Sequence, residues 1–212
     1  AVAENTVNTY TNVQPGEEIV DVIPQRYIID NTRQSNSPAG ELGNEITGVY
    51  QVITGMKMEI NKVTMCTDKS NLKIHEIILE PLASSLACLS EDDKQQGVAL
   101  VDIGGGTTDL IIYLDGKPVY TKVIAMGGDV ITQDIATVCK IPKDIAEKLK
   151  MKYGTCIVEK SHDHNIITIP RPYGQPIQIN ENYLAQIIYA RMGGNIVKAL
   201  KAEIENTGLK DY

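Results

Sequence analysis

Phenylalanine and tryptophan are both absent from the 212 residues, and the ten tyrosines are the whole aromatic complement. A core built from this chain is therefore aliphatic, with tyrosine in supporting places. Apolar residues still make up 42% of the chain, enough to bury such a core in one large domain or two small ones. Basic residues are outnumbered, 20 against 27, for a net charge of −7. That balance argues against holding nucleic acid through overall charge and leaves only a local basic face for it. The four cysteines, Cys66, Cys88, Cys139 and Cys156, form no Cys-x-x-Cys pair and share no metal-site spacing. They are expected to be buried, reduced thiols of a cytoplasmic protein. No signal peptide opens the chain, and no apolar run approaches the roughly 20 residues of a membrane span, so a soluble chain is expected. The polar opening "AVAENTVNTYTN" is abrupt and reads as a cut point.

What is present is a regular alternation of strand and helix signals. "EEIVDVIPQRYIID" alternates and is β-branched, which predicts strands around Pro24. A turn-rich loop, "NTRQSNSPAGELGNE", and a second strand, "TGVYQVITG", follow. "MKMEINKVTMCTDKS" predicts a helix with an apolar face at Met58, Val63 and Met65 to Cys66. "LKIHEIILE" predicts a strand, and "PLASSLACLSEDD" a short helix with Pro81 at its first position. "GVALVDI" is apolar enough for a strand buried on both faces. "TTDLIIYL" and "PVYTKVIAM" predict two more strands, joined by the hairpin signal "DGKP". Helices are expected from near Asp129 and from about Lys143 to Gly154. "GTCIVEKSHDHNIITIP" predicts a hairpin turning at His162–Asn165, and "RPYGQPIQI" a Pro/Gly loop. From Glu181 to Thr207 runs one helical pattern, roughly 40 Å long at 1.5 Å per residue. Gly193 and Gly194 interrupt it and mark a place for a bend.

The stretch that carries chemistry is "DIGGGTTDL", Asp102 to Leu110. A P-loop or dinucleotide fingerprint needs a helix after the glycines, so that phosphate meets its N-terminus. Here the glycines lead into "TTDLIIYLDG", which is β-branched and then turns, so the loop joins two strands. Such a loop can cradle phosphate oxygens with backbone N–H groups, with no Cβ in the way. Thr107 and Thr108 would add hydroxyl donors, and Asp102 stands where a carboxylate can hold a hydrated Mg²⁺. The alternative is a plain glycine-rich turn with solvated aspartates. Glu147 and Lys150, three apart, share a helix face, where an exposed ion pair would be worth little. His162, Asp163 and His164 have no further ligand at a metal spacing and read as a solvated turn.

A glycine loop inside a β-hairpin resembles that of the actin, heat-shock-chaperone and sugar-kinase superfamily. Within it, "VIPQRYIID", "SPAGELG", "LEPLASSLACLSEDDKQQGVALVDIGGGTTDLIIYLDG", "KVIAMGGDVITQDIA" and "LAQIIYARM", in this order, resemble the FtsA family of bacterial cell-division proteins over nearly the whole chain. The resemblance implies an α/β chain with mixed sheets in an actin-like, ribonuclease-H-like fold. Two halves would flank a nucleotide cleft, with the FtsA-type subdomain 1C inserted in the first. On that template, residues 1–72 are most of 1C and 73–96 the end of core subdomain 1A. Residues 97–126 are core subdomain 2A, 127–194 subdomain 2B, and 195–212 the return to 2A. The family's first phosphate loop, its later adenosine motif and its C-terminal amphipathic membrane helix have no counterpart, so the chain reads as a central fragment.

The same resemblance implies a site. Gly104, Gly105, Gly106, Thr107 and Thr108 would contact the β- and γ-phosphates of ATP, with Asp102 beside Mg²⁺. Gly127 and Gly128 would let the next helix approach the phosphates, and Glu147 and Lys150 would meet ribose and adenine. Glu80 would position an attacking water, or else be an acid well placed at a helix N-terminus. Arg191 would grip the acidic C-terminal tail of the tubulin homologue FtsZ, or be a solvated helix arginine. The family's Glu-Ala-Arg stands here as Tyr189-Ala190-Arg191. The implied partners are FtsZ, further copies in a filament, and other division proteins through 1C. The implied place is the cytoplasmic face of the membrane at the division site. Turnover would be at most that of a weak ATPase. Two alternatives stand beside this reading: an ATPase or kinase of the same superfamily, for which no general base stands out, and an FtsA-like pilus-assembly platform.

Overall fold

The computed structural model of the protein describes residues 13–159, 164–169 and 174–209. These fall into two units, 13–98 with 111–119, and 99–110 with the described residues from 120 onward.

The first unit opens with an antiparallel sheet of β1 (Glu17–Ile29), β2 (Arg33–Ser35) and β3 (Ile46–Met56), ordered β2-β1-β3. The strands expected around Pro24 are one strand, β1, whose register against β3 slips between Ile19 and Asp21 and between Pro24 and Arg26. Proline has no N–H to give the ladder, so a bulge at Pro24 is where the break belongs. At the β1–β2 turn Asp30 and Asn31 take left-handed φ of 48° and 58°, which Asx residues tolerate. The Asp30 carboxylate accepts from the N–H groups of Asn44 and Glu45, and these bonds hold its pKa below the usual carboxylate value.

Helix α1 (Lys57–Lys69) follows β3 directly. Its expected apolar face is not covered: Met58, Val63, Met65 and Cys66 are exposed and no residue of α1 is buried. The strand expected over 72–80 is also absent. Residues 72–79 carry no secondary structure, and Ile74, Ile77 and Ile78 line a groove of about 580 Å³ with Ile60, Leu82 and Tyr113. A strand exists by pairing, and no strand among the described residues pairs with this segment. The helix expected from Pro81 to Asp93 is two, α2 (Glu80–Cys88) and α3 (Glu91–Gln96). Ser90 divides them with a capping box, accepting from the Asp93 N–H while its own N–H donates to the Asp93 carboxylate.

A second sheet, ordered β4-β5-β6, consists of β4 (Val98–Ile103), β5 (Thr108–Leu114) and β6 (Lys117–Ile124), with residues in both units. The buried strand is not β4, as its composition suggested, but the central β5, buried from Thr108 to Tyr113. The hairpin signal holds: Asp115 and Gly116 have φ of 51° and 76°, as a two-residue turn matched to strand twist requires.

The second unit contains α4 (Gly128–Cys139), α5 (Lys143–Tyr153), the antiparallel pair β7 (Ile166–Ile169) and β8 (Ile177–Asn180), then α6 (Glu181–Arg191) and α7 (Lys198–Asn206). Ile135, Ile169, Leu184 and Ile196 are its fully buried aliphatic centre. Of the expected hairpin turn, His162 and Asp163 lie outside the described residues; β7 pairs with β8, inside the stretch expected as loop. The Pro/Gly signal there ends at Pro176, and "IQI" already alternates as a strand. The long helix is continuous, with Asn180 capping it through the Tyr183 N–H. Between α6 and α7 it widens to a π-helical segment, Met192–Val197, which holds Gly193 and Gly194. None of the four cysteines forms a disulfide, but Cys66, Cys88 and Cys156 are exposed, against expectation. Cys139 alone is buried, on the covered face of α4, and burial pushes its thiol pKa up.

Candidate functional site

The glycine loop joins β4 to β5, closed by the Gly104 N–H donating to the Thr107 carbonyl at 2.9 Å. No helix follows it in sequence. One arrives from later in the chain: the first two N–H groups of α4, on Gly128 and Asp129, donate to the carbonyls of Gly104 and Gly105, each at 2.8 Å. The positive end of the α4 dipole is thereby fixed against the loop. Gly127 makes that approach sterically feasible. Its backbone is ordinary and extended, but a Cβ there would stand 2.4 Å from the Gly104 oxygen and 2.5 Å from the Gly105 oxygen. The Thr108 hydroxyl adds a third tie, donating to the Met126 carbonyl at 2.7 Å, and Thr107 donates to the Asp109 carboxylate at 3.1 Å. Both hydroxyls expected to serve a ligand are engaged within the protein.

The outer side of the loop is open. Gly104, Gly105 and Gly106 are exposed, and a Cβ at Gly106 would meet nothing within 4 Å. Asp102 is half-buried one residue before the end of β4. No group of three or more His, Cys, Asp or Glu side chains suited to a metal occurs among the described residues. Asp102 beside an open backbone cradle, with Asp109 bonded to Thr107 and the Asp129 carboxylate next to Gly105, fits Mg²⁺ that keeps its waters and shares phosphate oxygens, and does not make an all-protein cage.

Behind the start of α4 lies a polar knot. The Lys150 ammonium on α5 is 2.8 Å from Glu147, 2.8 Å from the Thr132 hydroxyl and 3.1 Å from the Gly128 carbonyl. Glu147 also accepts from the Thr132 hydroxyl. Bonds from Lys150 first and Thr132 second hold the Glu147 carboxyl below its usual pKa. The structure thus brings together Gly104, Gly105, Gly127, Gly128, Glu147 and Lys150. Glu80 is the exposed first residue of α2 in the other unit. Arg191 stands apart from the knot, its fork bound at 2.7 and 3.0 Å to the Asp134 carboxylate of α4. Sequence reasoning passed over Thr132 and Asp134. Thr132 had a signal, being one helical turn beyond Gly128; Asp134 had none.

Two family models match the chain. "Cell division protein FtsA" matches residues 99–209, which carry the glycine loop, α4, α5 and the long helix. The chain belongs to the FtsA family. A second model, "SHS2 domain inserted in FTSA", matches residues 3–54, which include β1, β2 and most of β3. The FtsA of Neisseria meningitidis serogroup B is 35% identical over 93% of this chain and 48% of its own length. That of Borreliella burgdorferi is 36% identical over 91% of this chain and 47% of its own. The chain thus spans about half the length of these FtsA relatives.

Among solved structures, a PilM–PilN type IV pilus biogenesis complex superposes with a TM-score of 0.65 at 15% identity, covering 99% of this chain and 51% of that one. MreB5 of Spiroplasma citri bound to ADP gives 0.54 at 21% identity, over 69% of this chain and 48% of that one. These likenesses concern the fold, a mixed α/β architecture of the actin and FtsA type. No helix among the described residues is long and apolar enough to cross a membrane.

Proposed function

We propose that this chain is the central part of an actin-like division protein that binds ATP with Mg²⁺ at the loop after Asp102. The observation that supports this is the docking of the open glycine hairpin onto the first turn of α4 through the Gly104 and Gly105 carbonyls. That arrangement fixes the positive end of the α4 dipole beside an open glycine loop, which favours an anionic ligand there. Gly104, Gly105 and Gly106, with the backbone rather than the hydroxyls of Thr107 and Thr108, form the phosphate cradle, Gly127 and Gly128 its helix contact, and Glu147 and Lys150 the nucleoside side. Asp102 holds Mg²⁺ through water. Residues up to about 72 form 1C, 73–96 close 1A, 97–126 begin 2A, 127–194 form 2B, and the chain returns to 2A from about 195. In the whole protein, 2B takes the acidic C-terminal tail of FtsZ, 1C and 2B join copies into filaments, and the site of action is the inner face of the membrane. Glu80 would position water in a slow ATPase.

Gly106→Val tests the nucleotide reading, because its Cβ enters open space with nothing within 4 Å in the free protein. In the full-length protein it should weaken Mg-ATP binding, read by calorimetry, by roughly tenfold or more while leaving thermal unfolding in place. Unchanged affinity would mean that the loop is a plain turn.

A further inference from the structure

We propose that Thr132 is a positioning residue of the nucleotide site, whose hydroxyl links Lys150 to Glu147 and leaves the outer oxygen of Glu147 to accept from ribose hydroxyls. The proposal rests on the nucleotide reading above and deepens it. Thr132 is fully buried on α4, and its Oγ1 lies between the two charged side chains of α5. An ammonium has three N–H bonds and no lone pair. Lys150 has three acceptors within reach, Gly128 O, Thr132 Oγ1 and Glu147 Oε2, so its donors are spent inside the protein.

Because Lys150 can only donate, the Thr132 oxygen accepts a hydrogen bond from it, and the Thr132 O–H turns to an acceptor of its own. The choices are the Gly128 carbonyl at 3.1 Å and the Glu147 carboxylate, and the charged acceptor is the stronger. Lys150 and Thr132 both fall on Oε2 of Glu147, and neither takes Oε1. The Glu147 side chain is 40% exposed, so that second oxygen is within reach of a solvent-borne donor. A carboxylate held ionised beside a phosphate cradle repels phosphate, but it suits the neutral O–H donors of a sugar. The same Lys150 that steadies Glu147 also holds the Gly128 carbonyl, whose N–H holds Gly104. The sugar acceptor and the phosphate loop thus share one anchor.

The test uses the full-length protein with Thr132→Val, which keeps the shape and removes the hydroxyl, and Thr132→Ser, which restores it. Affinities for ATP and 2′-deoxy-ATP are measured by calorimetry. The Glu147 carboxyl is titrated by carbon-13 NMR, its signal assigned by loss in Glu147→Gln. Thr132→Val should weaken ATP roughly tenfold, shrink the preference for ATP over the deoxy form, and raise the Glu147 titration midpoint, with all three recovered in Thr132→Ser. An unmoved midpoint and preference in Thr132→Val would overturn the proposal. If the valine variant does not fold, Lys150→Met reads the same carboxyl, and an unmoved midpoint there overturns it equally. Should the unaltered protein bind neither nucleotide, the nucleotide reading and the ribose half of this proposal both fall, while the titration still decides whether Thr132 sets Glu147.

Discussion

Helices α1 and α4 have nearly the same length, 13 and 12 residues, and each carries an apolar stripe. Their fates differ. On α4 the stripe is buried at Ile131, Thr132, Ile135, Ala136 and Cys139, whereas α1 buries nothing. A stripe states which side of a helix gains by leaving water; it does not state that anything covers it. The contrast reaches function, because α4 bears the loop on its first turn and can hold it in place only by being anchored along its length. Ile135 and Asp134 supply that anchoring from the next turn.

The largest effect should come from truncating the two stripes in parallel. Ile135→Ala removes a fully buried side chain and should cost about 3 kcal/mol in urea unfolding, whereas Met65→Ala, at an exposed position, should stay within about 0.5 kcal/mol. Equal losses would abolish the distinction. A smaller effect is expected at the second anchor. Arg191 and Asp134 are each about a third exposed, so a double-mutant cycle with Arg191→Ala and Asp134→Ala should give a coupling of about 1 kcal/mol. The same variants sharpen Arg191's assignment in peptide binding. If it grips an FtsZ tail, Asp134→Ala should retain binding and Arg191→Ala lose it. Loss in both would make the arginine a strut.

The smallest effect concerns pH. Glu147 has a folded pKa below its ordinary value, so its contribution is fully present above about pH 4.3 and is lost as pH falls through the folded value. Glu147→Gln should therefore narrow the gap in unfolding midpoint between pH 7 and pH 3, as read by circular dichroism.

Much of this was legible in the sequence because it depends on neighbours in sequence. Asp115-Gly116 specified its turn through backbone preference alone, and the β-branched run after Gly106 placed the glycines between strands. Asn180 and Tyr153 bounded helices about where expected. What was illegible depends on partners distant in sequence. "LKIHEIILE" has a strand's composition, but composition supplies no neighbouring strand. Ser90 looked like one more helical residue until its hydroxyl and Asp93 closed a new cap. β4 looked like the buried strand because it is apolar, yet centrality in the sheet went to β5. In the site, glycines announced the loop, but nothing in the spacing joined Thr132 to residues 15 and 18 positions further on.

The π-helical segment has a further consequence, which concerns counting. A π turn takes up one residue more than an α turn, so Met192–Val197 absorbs a residue while α7 keeps the facing it would have without it. That facing lets Glu203 accept from the Tyr120 hydroxyl at 2.7 Å and sit 3.5 Å from Lys122. Were the same residues wound as plain α-helix, α7 would turn by about 100° and carry Glu203 away from both. Shortening the helix by one residue at Gly194 is therefore the gentle change. Keeping its length and stiffening it into an α-helix is the disruptive one.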